Sequence, residues 1–170
     1  MPLLIRDAGP RDAAAIASIA RRGWSTGYRG LLEASFLDRR AASDQETEWR
    51  SYLADRPDDH GILVADSDGT VVGFVRFGPT VDSDRAREAD GEVYGFYVAP
   101  ERTGEGLGRR LFAAARERLA AMGHRHLVLW TFEGNRAAER FYARAGLAPD
   151  GARRAESESG APERRWRGSV

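Results

Sequence analysis

The sequence predicts a single α/β domain built on a mixed central sheet, and three observations carry that reading. Short apolar strand segments alternate with segments of helical period along the chain. Residues 127–130 form a continuous apolar run of the kind buried on both faces, as in a sheet covered by helices on two sides. No repeat or linker interrupts the 170 residues, so one domain is expected over 1–170, long enough to bury a core without staples.

Residues 3–6, Leu-Leu-Ile-Arg, read as the first strand. Pro10 and Asp12 open a helix carrying Ile16, Ile19 and Ala20 at helical spacing. Gly23, Gly27 and Gly30 break that pattern, so 23–32 is expected as a loop holding Trp24, Tyr28 and Arg29. A second helical region runs through Phe36 and Leu37 and on to Trp49, Tyr52 and Leu53. Residues 62–65 and 71–77 are strands on either side of Asp66-Ser67-Asp68-Gly69, a hairpin turn signal. After a polar loop at 80–91, residues 92–98 form the next strand, which Pro100 ends.

A glycine-rich turn leads into a helix over 107–122, with Leu111, Phe112, Ala115 and Leu119 on one stripe. The apolar strand at 127–130 follows, then a helix over 135–145 closed by Gly146. Residues 151–160 are polar, and 163–167 read as a last strand. The count is about six or seven strands and about four helices.

Composition narrows the functional classes. With 42% hydrophobic and 31% charged residues, and no apolar run near the roughly 18 residues of a membrane span, a soluble protein without a membrane partner is expected. A formal net charge of zero gives no global pull toward nucleic acid. The start Met1-Pro2-Leu3-Leu4-Ile5-Arg6-Asp7 lacks the pattern of a signal peptide, so the cytoplasm is expected. The absence of cysteine excludes disulfides, thiolate nucleophiles and zinc–thiolate sites. All 26 basic residues are arginine, which reads as codon bias. His124 and His126 share strand spacing but have no evident third ligand, so no metal site is expected; His60 reads as a surface loop residue.

Thr103-Gly104-Glu105-Gly106-Leu107-Gly108-Arg109-Arg110 lies between a strand and a helix. Alternate glycines let successive backbone N–H groups close on an anion, and the helix start adds its positive dipole end. Pyrophosphate fits such a site; the plain alternative is a flexible turn capping a helix. A P-loop fits worse, because it needs Gly-Lys-Ser/Thr and the chain has no lysine. A dinucleotide fingerprint fits poorly, because the spacing is G-x-G-x-G and lies late in the chain.

Residues 92–101, Glu-Val-Tyr-Gly-Phe-Tyr-Val-Ala-Pro-Glu, with that turn and Arg109-Arg110-Leu111-Phe112, resemble the central motif of the GNAT superfamily of N-acetyltransferases. Downstream, Asn135, Ala138, Phe141, Tyr142, Gly146 and Leu147 resemble its second motif, N-x-x-A-x-x-F-Y-x-x-x-G-[FL], at the family's distance from the first. One position departs: Thr103 stands where the family usually carries arginine or glutamine, with Arg102 one step earlier.

The resemblance implies a GNAT fold with splayed central strands and acetyl-CoA as the acetyl-donor cosubstrate, without a metal. Phe96, Tyr97 and Val98 would bind the pantetheine arm, and Thr103, Gly104, Glu105, Gly106, Leu107, Gly108 and Arg109 the pyrophosphate. The Val98 amide would face the thioester oxygen. Tyr142 matches the family's tyrosine acid, although on an amphipathic helix it also reads as core. Asn135 would reach the cofactor while serving as an N-cap. Glu92 is the candidate base, directly or through water, with a solvated edge carboxylate as the alternative. Tyr94 would orient substrate, and Trp24 and Tyr28 would line the acceptor side.

The loop at 80–91 leans acidic through Asp82, Asp84, Glu88 and Asp90; it reads as a rim for a cationic amine or as a solvated charged loop. Three functions remain open: acetylation of a small-molecule primary amine, acetylation of a protein or peptide, which needs an open groove, and a catalytically silent acyl-CoA sensor. A homodimer is left open.

Overall fold

The computed structural model describes residues 3–170; Met1 and Pro2 lie outside the described residues. Seven strands form one sheet: β1 (Leu3–Asp7), β2 (Gly61–Ser67), β3 (Thr70–Pro79), β4 (Asp90–Val98), β5 (His126–Phe132), β6 (Ala148–Ala155) and β7 (Pro162–Ser169). Their order across the sheet is β1-β2-β3-β4-β5-β7-β6. Among the described strands only β4 and β5 pair in parallel, and the helical crossover between them is what a parallel pair requires.

Five helices cover the sheet: α1 (Ala13–Gly27), α2 (Ala34–Ala42), α3 (Gln45–Ala54), α4 (Leu107–Ala121) and α5 (Arg136–Arg144). The stripe of Leu111, Phe112, Ala115 and Leu119 on α4 joins Val75, Phe77, Leu127 and Leu129 in the core on one face. On the other face Ile16 and Ile19 of α1 and Leu53 of α3 meet Ile62, Val64 and Phe74. Alternate residues of β2 and β3 thus serve opposite cores, the period-two pattern of a sheet buried on both sides. The β2–β3 hairpin closes through Asp68 and Gly69, both at positive φ (51° and 83°), as a two-residue turn of right-twisted strands demands.

Four expectations need correction. Residues 23–27 are helical, not loop, because α1 runs through Gly23 to Gly27. A Cβ at Gly23 would stand 2.6 Å from Tyr97 Cδ1, so this glycine lets the helix lie against the Tyr97 ring rather than breaking it. The second helical region is two helices: Asp44 caps α3 by accepting from the Thr47 N–H at 3.2 Å. The polar segment from 151 belongs partly to a strand, since β6 pairs with β7. His60 is not a free surface residue but sits between Tyr52 and Tyr94, its Nδ1 2.9 Å from the Tyr52 hydroxyl. Among the described residues no helix is long and apolar enough to cross a membrane.

Candidate acyl-transfer site

The main cleft opens where β4 and β5 part. β4 pairs with β3 from Gly91 to Val98, but with β5 only at Asp90, Gly91 and Glu92. Its register on β3 slips between Arg76 and Phe77, leaving Tyr94 as an extra residue that bends the strand. The resulting gap holds a cavity of about 640 Å³ walled by residues 93–98 and 129–132. The Ala99 N–H donates to the Val72 carbonyl at 2.9 Å, toward β3. Strand alternation therefore turns the N–H groups of Val98 and Phe96 the other way, toward the gap. A strand edge with free donors and acceptors lies open to an extended polar ligand.

The glycine turn stands at one end of this edge. Gly104 and Gly106 have φ of +86° and +79°, in the left-handed region that favours glycine. A Cβ on either would meet nothing within 4 Å, so the space above the turn is open. Gly106 caps the 15-residue helix α4 without a side-chain acceptor, and the N–H groups of Leu107, Gly108 and Arg109 have no carbonyl one turn back. At Gly108 a Cβ would approach Phe96 Cζ to 3.2 Å, so its absence lets α4 pack close to β4.

Side-chain charge around the turn is sparse. The Thr103 hydroxyl donates to the Pro100 carbonyl at 2.9 Å. Arg102 is held by Glu105 at 2.7 Å and does not replace the charge missing at Thr103. Arg109 is exposed and in no ion pair among the described residues, while Arg110 donates to the Leu3 carbonyl at 3.0 Å. The Leu107 side chain is buried in the core, so only its backbone faces the turn.

Tyr142 is buried among Phe112, Phe141 and Trp166, with centroids at 5.6, 5.3 and 6.4 Å, and still lines the cleft. Core packing and access to the cleft coexist in one residue. Burial pushes its phenol up, with Tyr97 adding to the effect, so it stays protonated at neutral pH. Asn135 caps α5 by accepting from the Ala138 N–H at 3.2 Å and also lines the cleft.

Glu92 is not a solvated edge carboxylate: it is 4% exposed. Its Oε2 accepts from the Thr80 hydroxyl and the Val81 N–H, both at 3.1 Å. Burial raises its pKa, and these two donors hold it back. It occupies the last rung before the strands part and lies behind the cleft wall, which Val93 and Tyr94 form.

Tyr94 donates to the Pro79 carbonyl, and burial pushes its phenol up. Trp24 and Tyr28, on and just beyond the end of α1, close the opposite side with Phe132, centroids 5.9 and 4.9 Å away. The Tyr28 hydroxyl stands 3.2 Å from that of Tyr97. The structure thus gathers Trp24, Tyr28, Tyr94, Phe96, Tyr97, Val98, Thr103, Asn135 and Tyr142 around one cleft.

Several cleft residues carried no motif. Glu163 on β7 is buried and accepts from Arg154 Nε at 2.7 Å; burial raises its pKa and Arg154 pulls it back. Arg154 in turn stacks 4.2 Å over Trp130. Arg40 of α2 reaches Glu158 of the β6–β7 connection at 2.8 Å, joining two elements that line the cleft.

The loop at 80–91 is largely exposed, and arginines answer most of its acidic side chains. Arg165 meets Asp82 at 2.9 Å, Asp84 at 2.7 Å and Asp150 at 2.8 Å, while Arg85 meets Asp150 and Arg87 meets Asp59 at 2.6 Å each. Among the described residues, no group of three or more His, Cys, Asp or Glu side chains is placed to hold a metal. His124 is buried, and His126 Nδ1 stands 3.1 Å from Asp90 Oδ1.

Comparison with known proteins adds an independent line. Residues 25–147 match the family described as Acetyltransferase (GNAT) family. An uncharacterized N-acetyltransferase of Bacillus subtilis (strain 168) is 31% identical over 132 residues, covering 77% of this chain and 72% of that protein. The fold is shared with PaiA N-acetyltransferase from Thermoplasma acidophilum, solved in complex with coenzyme A: TM-score 0.80, 18% identity, all of both chains covered. It is shared too with yncA, a putative acetyltransferase from Salmonella typhimurium solved with its cofactor acetyl-CoA: TM-score 0.76, 22% identity, 99% and 94% covered.

Proposed function

Since the chain belongs to the acetyltransferase (GNAT) family and is an acetyl-CoA-dependent N-acetyltransferase, we propose that it passes the acetyl group directly to the primary amine of a small molecule. The observation that carries this reading is the parting of β4 from β5 beside the glycine turn. The residues there suit acetyl-CoA: an open strand edge for an amide-rich arm and a helix start for a pyrophosphate.

In this reading the edges of Phe96, Tyr97 and Val98 hold the pantetheine arm, with Asn135 beside it. The N–H groups of residues 104–109 take the pyrophosphate, and Arg109 supplies the charge that Thr103 lacks. Acetyl-CoA brings an activated thioester; an N–C bond forms as the C–S bond breaks. The Val98 N–H faces the carbonyl oxygen on which negative charge grows. Glu92 accepts the proton of the attacking amine through water, its raised pKa making it a better base than a solvated carboxylate. Tyr142 gives its proton to the departing thiolate. The burial that disfavours a phenolate disfavours a thiolate in the same place, so the transfer remains accessible.

The small-molecule reading is supported by what covers the acceptor side. A peptide acceptor needs an open groove, whereas here the Trp24–Tyr28–Phe132 cluster and the Arg40–Glu158 pair line the cleft. Thiol release from acetyl-CoA, followed across small amines and peptide amino termini, tests it. Faster turnover of small amines is expected. Preference for peptides would contradict the proposal, and tight acetyl-CoA binding without turnover would instead indicate a sensor.

A further inference from the structure

A second cavity, of about 320 Å³, adjoins the acetyl cleft, and Trp24, Arg40, Tyr94, Gly95 and Tyr97 line both. Arg76 of β3 stands in register opposite Gly95 and projects into this second space. Its guanidinium lies 4.2 Å over the ring of Tyr52 and 5.3 Å from that of Tyr94. Its Nε is buried without a hydrogen-bond partner, and among the described residues no carboxylate comes within 4.0 Å of it.

Other arginines differ. Arg22, Arg40, Arg85 and Arg167 also have a partnerless Nε, yet each meets a carboxylate through another nitrogen. Arg164 shares the lack of an anion but lies outside both cavities. Glu48 lines the same cavity as Arg76 and stands beyond ion-pair distance. A half-buried guanidinium fixed between two rings, with its fork unanswered, matches the geometry of a carboxylate. At Gly95 an added Cβ would meet only Tyr97 Cε2, at 3.8 Å, so no side chain there separates Arg76 from the acetyl cleft.

We infer that the acceptor is a small amino-carboxylate, its amine presented across Gly95 to the acetyl cleft and its carboxylate received by the Arg76 guanidinium between Tyr52 and Tyr94. This rests on the acetyl-transfer reading of the main cleft. Arg76 acts here on specificity, because it touches the part of the acceptor that does not react. The cavity is sized for a free amino acid, and an amino terminus within a peptide lacks the adjoining carboxylate.

The test compares free L-amino acids with their carboxamides as acceptors, following thiol release, for wild type, Arg76→Gln and Arg76→Lys. The best amino acid should exceed its own amide by at least about tenfold in kcat/KM. Arg76→Gln should lower kcat/KM for that acid by about 100-fold, mostly through KM, while the amide and the KM for acetyl-CoA stay unchanged. Arg76→Lys should fall between the two, having charge without a fork. Amides used as well as acids by the wild-type protein would overturn the inference without any variant having to fold. Equal effects of Arg76→Gln on acid and amide would overturn it as well, as would polyamines or peptides outrunning every amino acid. No turnover on any acceptor, with acetyl-CoA still bound by calorimetry, would sink the acetyl-transfer reading and this inference together; it is distinguishable because the other failures all show turnover.

Discussion

In the proposed transfer, Tyr142 and Glu92 meet opposite demands by the same means. Burial keeps the phenol protonated and raises the carboxylate's affinity for a proton. Tyr142→Phe keeps the ring packing against Phe112 and Trp166, so acetyl-CoA affinity should hold while kcat falls on the order of 100-fold. Wild-type kcat would contradict the acid role. In the proposed base role Glu92 must be ionised, so activity should fall as pH drops through its raised pKa. That acid limb should vanish in Glu92→Gln, leaving a low flat profile, whereas Glu163→Gln should retain it. Stability runs the other way: a carboxylate with a raised folded pKa favours the fold when protonated and costs stability once pH rises through that value. Glu92→Gln should therefore melt no lower than wild type at neutral pH, which separates lost catalysis from lost folding. The sequence placed Tyr142 and Glu92 through motifs. It left Glu163 and Arg76 unmarked because neither lies in one: Glu163 reaches the cleft only through the register of β7 on β5, and Arg76 reaches the second cavity from β3, opposite Gly95.

At the level of elements, the turn into α4 was readable because its glycine spacing is a local backbone requirement, met at Gly104 and Gly106 by positive φ. Gly106→Glu should abolish acetyl-CoA binding by calorimetry, since it sets an anion at the helix start. Gly106→Ala should cost only about 1 kcal/mol of stability, the strain of a left-handed alanine, and leave binding measurable. Retained affinity in Gly106→Glu would remove the pyrophosphate from this turn. Helix α1 was misread at Gly23 because a close approach to Tyr97, made by a residue 74 positions away, looks in sequence like a helix breaker. The same holds for β6: residues 150–155, three of them charged, gain a strand only by pairing with β7. The splay of β4 is likewise a register event at Tyr94, which no pattern of apolar residues signals.

Across the whole molecule, Arg165 ties the loop before β4 to the sheet edge through Asp82, Asp84 and Asp150, and Asp82 also accepts from Trp130 Nε1 at 3.1 Å. Arg165→Met would remove the cation shared by half-buried Asp82 and Asp150, which keep Arg154 and Arg85 as partners, a loss of roughly 1–3 kcal/mol in chemical denaturation. Arg165 holds the pKa of Asp84 below the usual range, and the hydrogen bonds at Asp150 outweigh its burial to the same effect. Their contribution is therefore present above ordinary carboxylate pKa values and lost as pH falls through the depressed ones; the variant should lose less on acidification than wild type. An unchanged denaturation midpoint would deny the network its structural part. The acidic composition of residues 80–91 was plain in the sequence, but its neutralisation by a residue 81 positions from Asp84 was not. The most direct test of the central claim is to incubate the protein with acetyl-CoA and a panel of small primary amines, measuring free thiol and acetylated amine by mass in the same samples. Equimolar thiol and acetylated amine for at least one small amine is the predicted result. Acetyl-CoA bound in the cleft with no acetylated amine formed from any member would contradict it.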